Sequence, residues 1–293
     1  MKWIKLGRLY QVENDNPHLV THAANPLPKH LHDDTYRVYY NGRDVNNRSS
    51  VSYVDIDIVK RTLVLDYKKP ILIPKPNSFY SHGISIGNIW NIKQCTYMNF
   101  MGWNCPDNKH WYGEIGYCQL HSEHVKYPKL LLGLNTEDSI SLSYPHIMFD
   151  DGIYKMWYGS TISWTSENNE MIHVIKYASS VDGINWISHG VSIPYELGKA
   201  QAFSRPTVIK IDGIYHMWYS YRKGDGSLYD IGYSKSTDGI TWSFPESNIE
   251  YSSDDWDSEM MCYPHVFKHE DKIYMLYNGN GFGKTGFGIA ILR

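Results

Sequence analysis

Residues 144–160 read YPHIMFDDGIYKMWYGS, and the same arrangement returns at 205–220 as RPTVIKIDGIYHMWYS and at 263–278 as YPHVFKHEDKIYMLYN. Each copy opens on a residue before proline, which the proline ring keeps out of the helical region. A short apolar strand follows. Then comes a turn of the kind that joins antiparallel strands (Asp151-Gly152, Asp212-Gly213, Glu270-Asp271) and a second strand rich in alternating aromatic residues. A third strand reads IKYASS, IGYSKS or FGIAIL, and two copies add SSVDGINW or STDGITW, a turn into an outer strand carrying Trp186 or Trp242.

Two more divergent copies begin at Asn25-Pro26 and His82-Gly83, so that five units recur at roughly 60 residues. Four short antiparallel strands per unit at that spacing predict an all-β fold, a five-bladed β-propeller. It is read as a single domain over residues 1–293, with blades starting near 22, 80, 142, 203 and 261. The last unit stops at its third strand, Phe287–Leu292. The amino-terminal stretch KWIKLGRLYQ has the pattern of a fourth strand. Residues 2–11 are therefore expected to complete the last blade and close the ring, removing an open sheet edge.

Composition narrows the function. With 42% hydrophobic and 20% charged residues the chain reads as an ordinary globular protein, and a formal charge of −3 gives no electrostatic case for nucleic acid or an anionic membrane. No stretch approaches the ~18 apolar residues that cross a bilayer, and the amino terminus has no apolar core of a secretory signal. The four cysteines, Cys95, Cys105, Cys118 and Cys262, form neither a CxxC pair nor a regular framework, so a reducing cytoplasm is the expected location. The outlier is the aromatic content: 10 Trp, 25 Tyr and 8 Phe. Most of these rings fall inside strand patterns and are read as packing; the remainder are available to stack on sugar faces.

Five units that each open with X-Pro at the top of an inner strand resemble the propeller glycoside hydrolases of families 43, 62, 32 and 68. The stretches SRPTVIKIDGIYHMWYSYR, STDGITW and YPHVFKHEDKIYMLYNGNGFGKTGFGIAI are similar to propeller proteins that travel with bacterial surface-polysaccharide genes. The resemblance implies carboxylates ringed about the axis, because glycosidic hydrolysis needs one group to protonate the leaving oxygen and another to activate water or attack the sugar. The sequence departs from that pattern. The slots before proline or its equivalent hold Asn25, His82, Tyr144, Arg205 and Tyr263, and none is a carboxylate.

Side chains of an inner strand alternate between axis and interior, so the channel mouth is expected to gather those five residues, with His146 and His265 deeper and His22 on the rim. Three readings of the histidines stand open: an axial metal site at His146 and His265, with calcium or another divalent ion; acid–base chemistry by His82 or His22; and structural hydrogen bonding. Carboxylates are sought in the rim loops, with Asp44, Glu259 and Glu114 as candidates. Asp44, Glu259 and His82 form the expected catalytic set. Arg205, Arg222, Arg43 and Lys284 are expected to hold a carboxylate or phosphate. Asn25, His22, Tyr144, Tyr263, Trp103, Trp164 and Tyr229 complete the expected binding surface. The functional expectation is a carbohydrate-active enzyme acting on an acidic or phosphorylated glycoside or a sugar nucleotide, in surface-glycan metabolism. The alternative is an inactive sugar-binding propeller, and weaker still a protein-docking scaffold. No cofactor beyond the axial metal is implied.

Overall fold

The computed structural model describes residues 1–13, 15–106, 109–121 and 124–293. Nineteen strands among the described residues are joined by turns, and the one helix is a single four-residue turn, α1 (Asn280–Gly283). In chain order the strands are β1 (Trp3–Tyr10), β2 (Thr21–His32), β3 (Thr35–Arg43), β4 (Ser49–Asp57), β5 (Thr62–Asp66), β6 (Gly83–Ile92), β7 (Cys95–Asn104), β8 (Tyr112–Leu120), β9 (Val125–Leu132) and β10 (Leu142–Asp150). They continue as β11 (Ile153–Ser163), β12 (Ile172–Ser180), β13 (Ile187–Val191), β14 (Ala202–Ile211), β15 (Ile214–Arg222), β16 (Asp230–Ser236), β17 (Cys262–His269), β18 (Lys272–Asn278) and β19 (Phe287–Leu292).

Antiparallel pairing joins β2-β3-β4-β5, then β6-β7-β8-β9, then β10-β11-β12-β13, then β14-β15-β16. The last group is β17-β18-β19, and β1 pairs antiparallel with β19, Trp3 facing Leu292 and Tyr10 facing Phe287. The fourth group has no long outer strand; an isolated bridge between Tyr233 and Glu246 takes its place.

The X-Pro dipeptides are β-bulges. Register slips between Ala24 and Leu27, Ser143 and His146, Ser204 and Thr207, and Cys262 and His265. At each slip the residue before proline is left-handed: φ is 55° at Asn25, 31° at Tyr144, 50° at Arg205 and 54° at Tyr263. Proline bars the right-handed helical region there, and a bulge residue takes up the extra length. In the second unit the slip lies between Ile86 and Ile89, so the equivalent pair is Gly87-Asn88 rather than His82-Gly83. This corrects the expected register. A Cβ at Gly87 would sit 2.2 Å from both Asn99 Oδ1 and the Pro145 carbonyl oxygen, so only glycine fits the bulge against the next unit. Asn88 stands where the other units have proline, and its side chain holds the main chain of Ile147 by two bonds of 2.8 Å.

The core lies between successive sheets. Trp157 and Trp218, from the repeated MWY stretches, are fully buried, one packed with Ile175, Phe203 and Tyr215 and the other with Trp3, Met261 and Tyr277. Further clusters join β1, β18 and β19 to β2–β4, β2–β4 to β6–β8, and β6–β8 to β10–β12. Since each unit's aromatic strand is buried by its neighbour, the inner-strand ends of all units are held at one side of the molecule, where the site lies.

Candidate functional site

A cleft of about 610 Å³ opens where β2, β6, β10, β14 and β17 begin. Its floor is polar and aromatic. Tyr144 Oη donates to Tyr263 Oη at 3.4 Å, their rings 5.4 Å apart, and Asn25 Nδ2 donates to Asn41 Oδ1 at 3.1 Å. Burial pushes the Tyr263 hydroxyl well above the usual phenol range, so it stays protonated. Asn25, Tyr144 and Tyr263 are the left-handed residues of three X-Pro bulges, and all three line the opening.

The walls are aromatic. Trp103, Trp111, Trp164, Tyr229 and Phe282 line them. Trp164 is stacked by His110 at 4.5 Å and met edge-on by Trp111 at 5.0 Å. Beneath this group His173 is gripped on both nitrogens, by Ser143 Oγ at 2.7 Å and Thr161 Oγ1 at 2.8 Å. Burial lowers its pKa to about 4, so it is a neutral strut.

The charged lining is two arginines and one carboxylate. Arg43, at the end of β3, has no carboxylate partner among the described residues; Arg222, at the end of β15, lies 3.6 Å from Glu170 and over the Tyr229 ring at 5.3 Å. Glu170 is half-buried and is the one carboxylate among the described lining residues. It sits two residues before β12. Excess positive charge beside flat rings suits a ligand with an anionic group and a sugar face.

Asn25, Tyr144, Tyr263, Arg222, Trp103 and Trp164 thus meet in one cleft, together with Arg43 and Tyr229. Others lie elsewhere. Arg205, expected at the mouth as an anion ligand, is fully buried beneath the floor. Its guanidinium donates to the carbonyls of Tyr263 (2.6 Å), Pro264 (3.3 Å), Pro26 (3.0 Å) and Ile86 (3.4 Å), tying together inner strands of several units. Asp44 does not line the cleft; its Oδ1 accepts the N–H groups of Asn46 and Arg48, each at 2.8 Å, and shapes the β3–β4 turn. Glu259 is exposed outside the lining, where its own N–H is held by Asn280 Oδ1 at 2.9 Å. His82 lies off the axis because the second bulge is at Gly87, and it stacks near Trp103 with ring centres 6.4 Å apart. His22 lies beside Arg43 and Lys284, and burial with those two charges lowers its pKa to about 4. It is also outside the lining.

The expected axial metal site does not fit. His146 and His265 are neighbours, ring centres 6.3 Å apart, but among the described residues no group of three or more His, Cys, Asp or Glu is placed to hold a metal ion. The buried charge of Arg205 acts on both rings and opposes a cation.

Sequence reasoning missed Glu170, Trp111, His173 and Phe282. Three of them, Glu170, Trp111 and, within α1, Phe282, occupy the connection between a unit's second and third strands, where Tyr229 also lies. The signal was that shared connection, which carries a polar or aromatic residue one to five positions before the third strand in four of the units.

No protein-family model matches the chain. Over 301 residues, 100% of both chains, it is 36% identical to Uncharacterized protein Rv1502 of Mycobacterium tuberculosis strain H37Rv, and equally to Uncharacterized protein MT1551 of strain CDC 1551. Among solved structures, a BT0996 RGII complex superposes with a TM-score of 0.74 at 15% identity, covering 98% of this protein and 90% of that one. A glycoside hydrolase gives 0.73 at 14% identity with the same coverage. The Bombyx mori GH32 beta-fructofuranosidase BmSUC1 gives 0.63 at 13%, covering 95% of this protein and 62% of that one. The fold is that of the β-propeller glycoside hydrolases, as the repeat implied.

Proposed function

This chain belongs to the family of the Mycobacterium tuberculosis proteins Rv1502 and MT1551, and on that footing we propose that it is a carbohydrate-active enzyme of the glycosidase type. We read residues 1–293 as one domain, a five-bladed ring in which β1 completes the last blade. The substrate class is a sugar carrying a carboxylate or phosphate, held by Arg43 and Arg222 with its ring face against Trp103 or Trp164. Surface-glycan metabolism in the cytoplasm is the setting the sequence resemblance suggests.

The observation that carries this reading is Glu170. It is a half-buried carboxylate inside an aromatic-walled cleft, 3.6 Å from Arg222. A carboxyl group there is placed to give a proton to a leaving oxygen or take one from an incoming hydroxyl.

One observation favours a second reading, a binding protein without turnover: hydrolysis by the two-carboxylate route needs a second carboxylate, and the described lining holds only Glu170. The two are separated by following thermal stability and product together across acidic and phosphorylated glycosides and sugar nucleotides. An enzyme gives product that Glu170→Gln reduces by about 10²-fold or more while the stabilising shift persists. Arg43→Ala and Arg222→Ala should each weaken the shift. A shift without product in the unaltered protein establishes the binder, and no shift with any anionic sugar removes the anionic-substrate reading.

A further inference from the structure

Glu170 lies in the connection between β11 and β12, outside any strand, whereas Arg222 ends β15 in the next unit. The connection closes on itself. Ser166 N–H donates to the Glu170 carbonyl at 2.9 Å, and Asn169, left-handed at φ 62°, donates its N–H to the Ser166 carbonyl at 2.9 Å. Such a turn fixes its own shape but not its place against the neighbouring unit. The residue that joins the two is Gln201, one position before β14 and fully buried.

The Gln201 side chain takes the turn on both sides of Glu170. Asn168 Nδ2 donates to Gln201 Oε1 at 2.6 Å, and Gln201 Nε2 donates to Asn168 Oδ1 at 3.2 Å and to the Met171 carbonyl at 3.1 Å. Gly198 N–H is a second donor to Oε1 at 2.9 Å, so both lone pairs and both protons of the buried amide are used. The main chain takes the other partner: Gln201 N–H donates to the Arg222 carbonyl at 3.1 Å. Asn168 Nδ2 also reaches the carbonyl of Gly224, two residues past Arg222, at 2.8 Å. Gly224 makes the space for the amide, since a Cβ there would overlap Gln201 Oε1 and its φ is 92°.

We propose that Gln201 is a positioning residue that holds Glu170 against Arg222, bonding the turn of the one through its side chain and the strand of the other through its main chain. A buried amide whose bonds are all made specifies the arrangement of its partners. The inference rests on the reading of Glu170 as the acid–base group and adds what sets its place. Pairing with β14 and β16 fixes β15, while the Glu170 turn lies outside the strands. Loss of the amide therefore moves Glu170 and leaves Arg222 where it is.

Gln201→Met keeps the volume and the main-chain bonds and removes the amide. Its crystal structure should show the Glu170 carboxylate beyond the ~4 Å of an ion pair with Arg222, with Tyr144 and Tyr263 in place. On p-nitrophenyl glucuronide or p-nitrophenyl glucoside phosphate, whichever the unaltered protein cleaves, kcat should fall by about 10²-fold, the cost of a misplacement near ~1 Å. KM should stay within about twofold because Arg222 remains. A merely structural loss would leave kcat of the folded protein as it was. Glu170 still within ~4 Å of Arg222 in the variant overturns the proposal, and so does an unaltered kcat. Should Gln201→Met not fold, Asn168→Ala, which removes the amide pair from its exposed side, is judged by the same two readouts. Absence of product from the unaltered protein counts against the enzyme reading instead, and the distance in the variant crystal then decides the role of Gln201.

Discussion

Arg205 reads in the sequence as a ligand, a cation at the head of an inner strand, and proves to be a structural tie. The difference is one of reach: its left-handed backbone and long side chain carry the guanidinium under the floor, within bonding distance of carbonyls from three other strand groups. Truncating it leaves those carbonyls buried without donors. Arg205→Met is expected to lower the unfolding free energy by about 3 kcal/mol or more, read by urea denaturation. A variant of unchanged stability would show that the carbonyls do not depend on it. Asp44 and Glu259 lie outside the cleft lining for a similar reason: a carboxylate near a rim in sequence is taken by the nearest free N–H groups or faces solvent. Glu170 is distinguished only by the arginine and the rings that the fold brings to it.

At the scale of the strand, the X-Pro bulge is the device that builds the site, and four of its five instances are visible as written dipeptides. The fifth is not. The second unit uses Gly87-Asn88, whose relation to proline lies in geometry: glycine for close approach to Asn99 and Pro145, asparagine for the bonds to Ile147. Gly87→Ala is expected to cost about 2 kcal/mol or more by forcing that contact apart, with unfolding by denaturant as the measure. A substitution tolerated without loss would show that the bulge relaxes freely. The same shift of register is what takes His82 off the axis.

Over the molecule as a whole, stability rests on apolar clusters shared between neighbouring sheets, so a single buried ring matters to two of them. Trp218, packed by Trp3 from β1 and Tyr277 from β18, is such a ring. Trp218→Ala should cost about 3–5 kcal/mol and lower the melting temperature accordingly. The buried histidines add a pH dependence of definite sign. His173 is held neutral, its pKa lowered to about 4 by burial, whereas in the unfolded chain it titrates near ~6.5. Between those values the unfolded chain binds the extra proton, so stability is present above about 6.5 and is lost as pH falls towards 4, by about 1.4 kcal/mol per pH unit. His146, lowered to about 3, acts in the same direction. Unfolding free energies at pH 7 and pH 5 should show this loss, and His173→Gln should lose about 2 kcal/mol less over that interval. An unchanged slope in the variant would mean that His173 is protonated or solvated in the fold.

Strand order, turns, the repeat and the aromatic faces are legible in the chain as written, because they follow from local rules: proline and glycine restrict the backbone, and alternation sorts side chains to two faces. Tyr144, Tyr263, Asn25, Arg222 and the two tryptophans expected in the cleft could be picked out the same way. Which polar residues are free to meet a ligand could not. That Arg43 is left without a carboxylate among the described residues, that Arg205 is consumed by carbonyls, and that Glu170 comes to Arg222 are all facts about groups far apart in the chain. Hydrogen bonds and ion pairs depend on distances of a few ångströms between such groups, and the packing of the sheets against one another sets those distances.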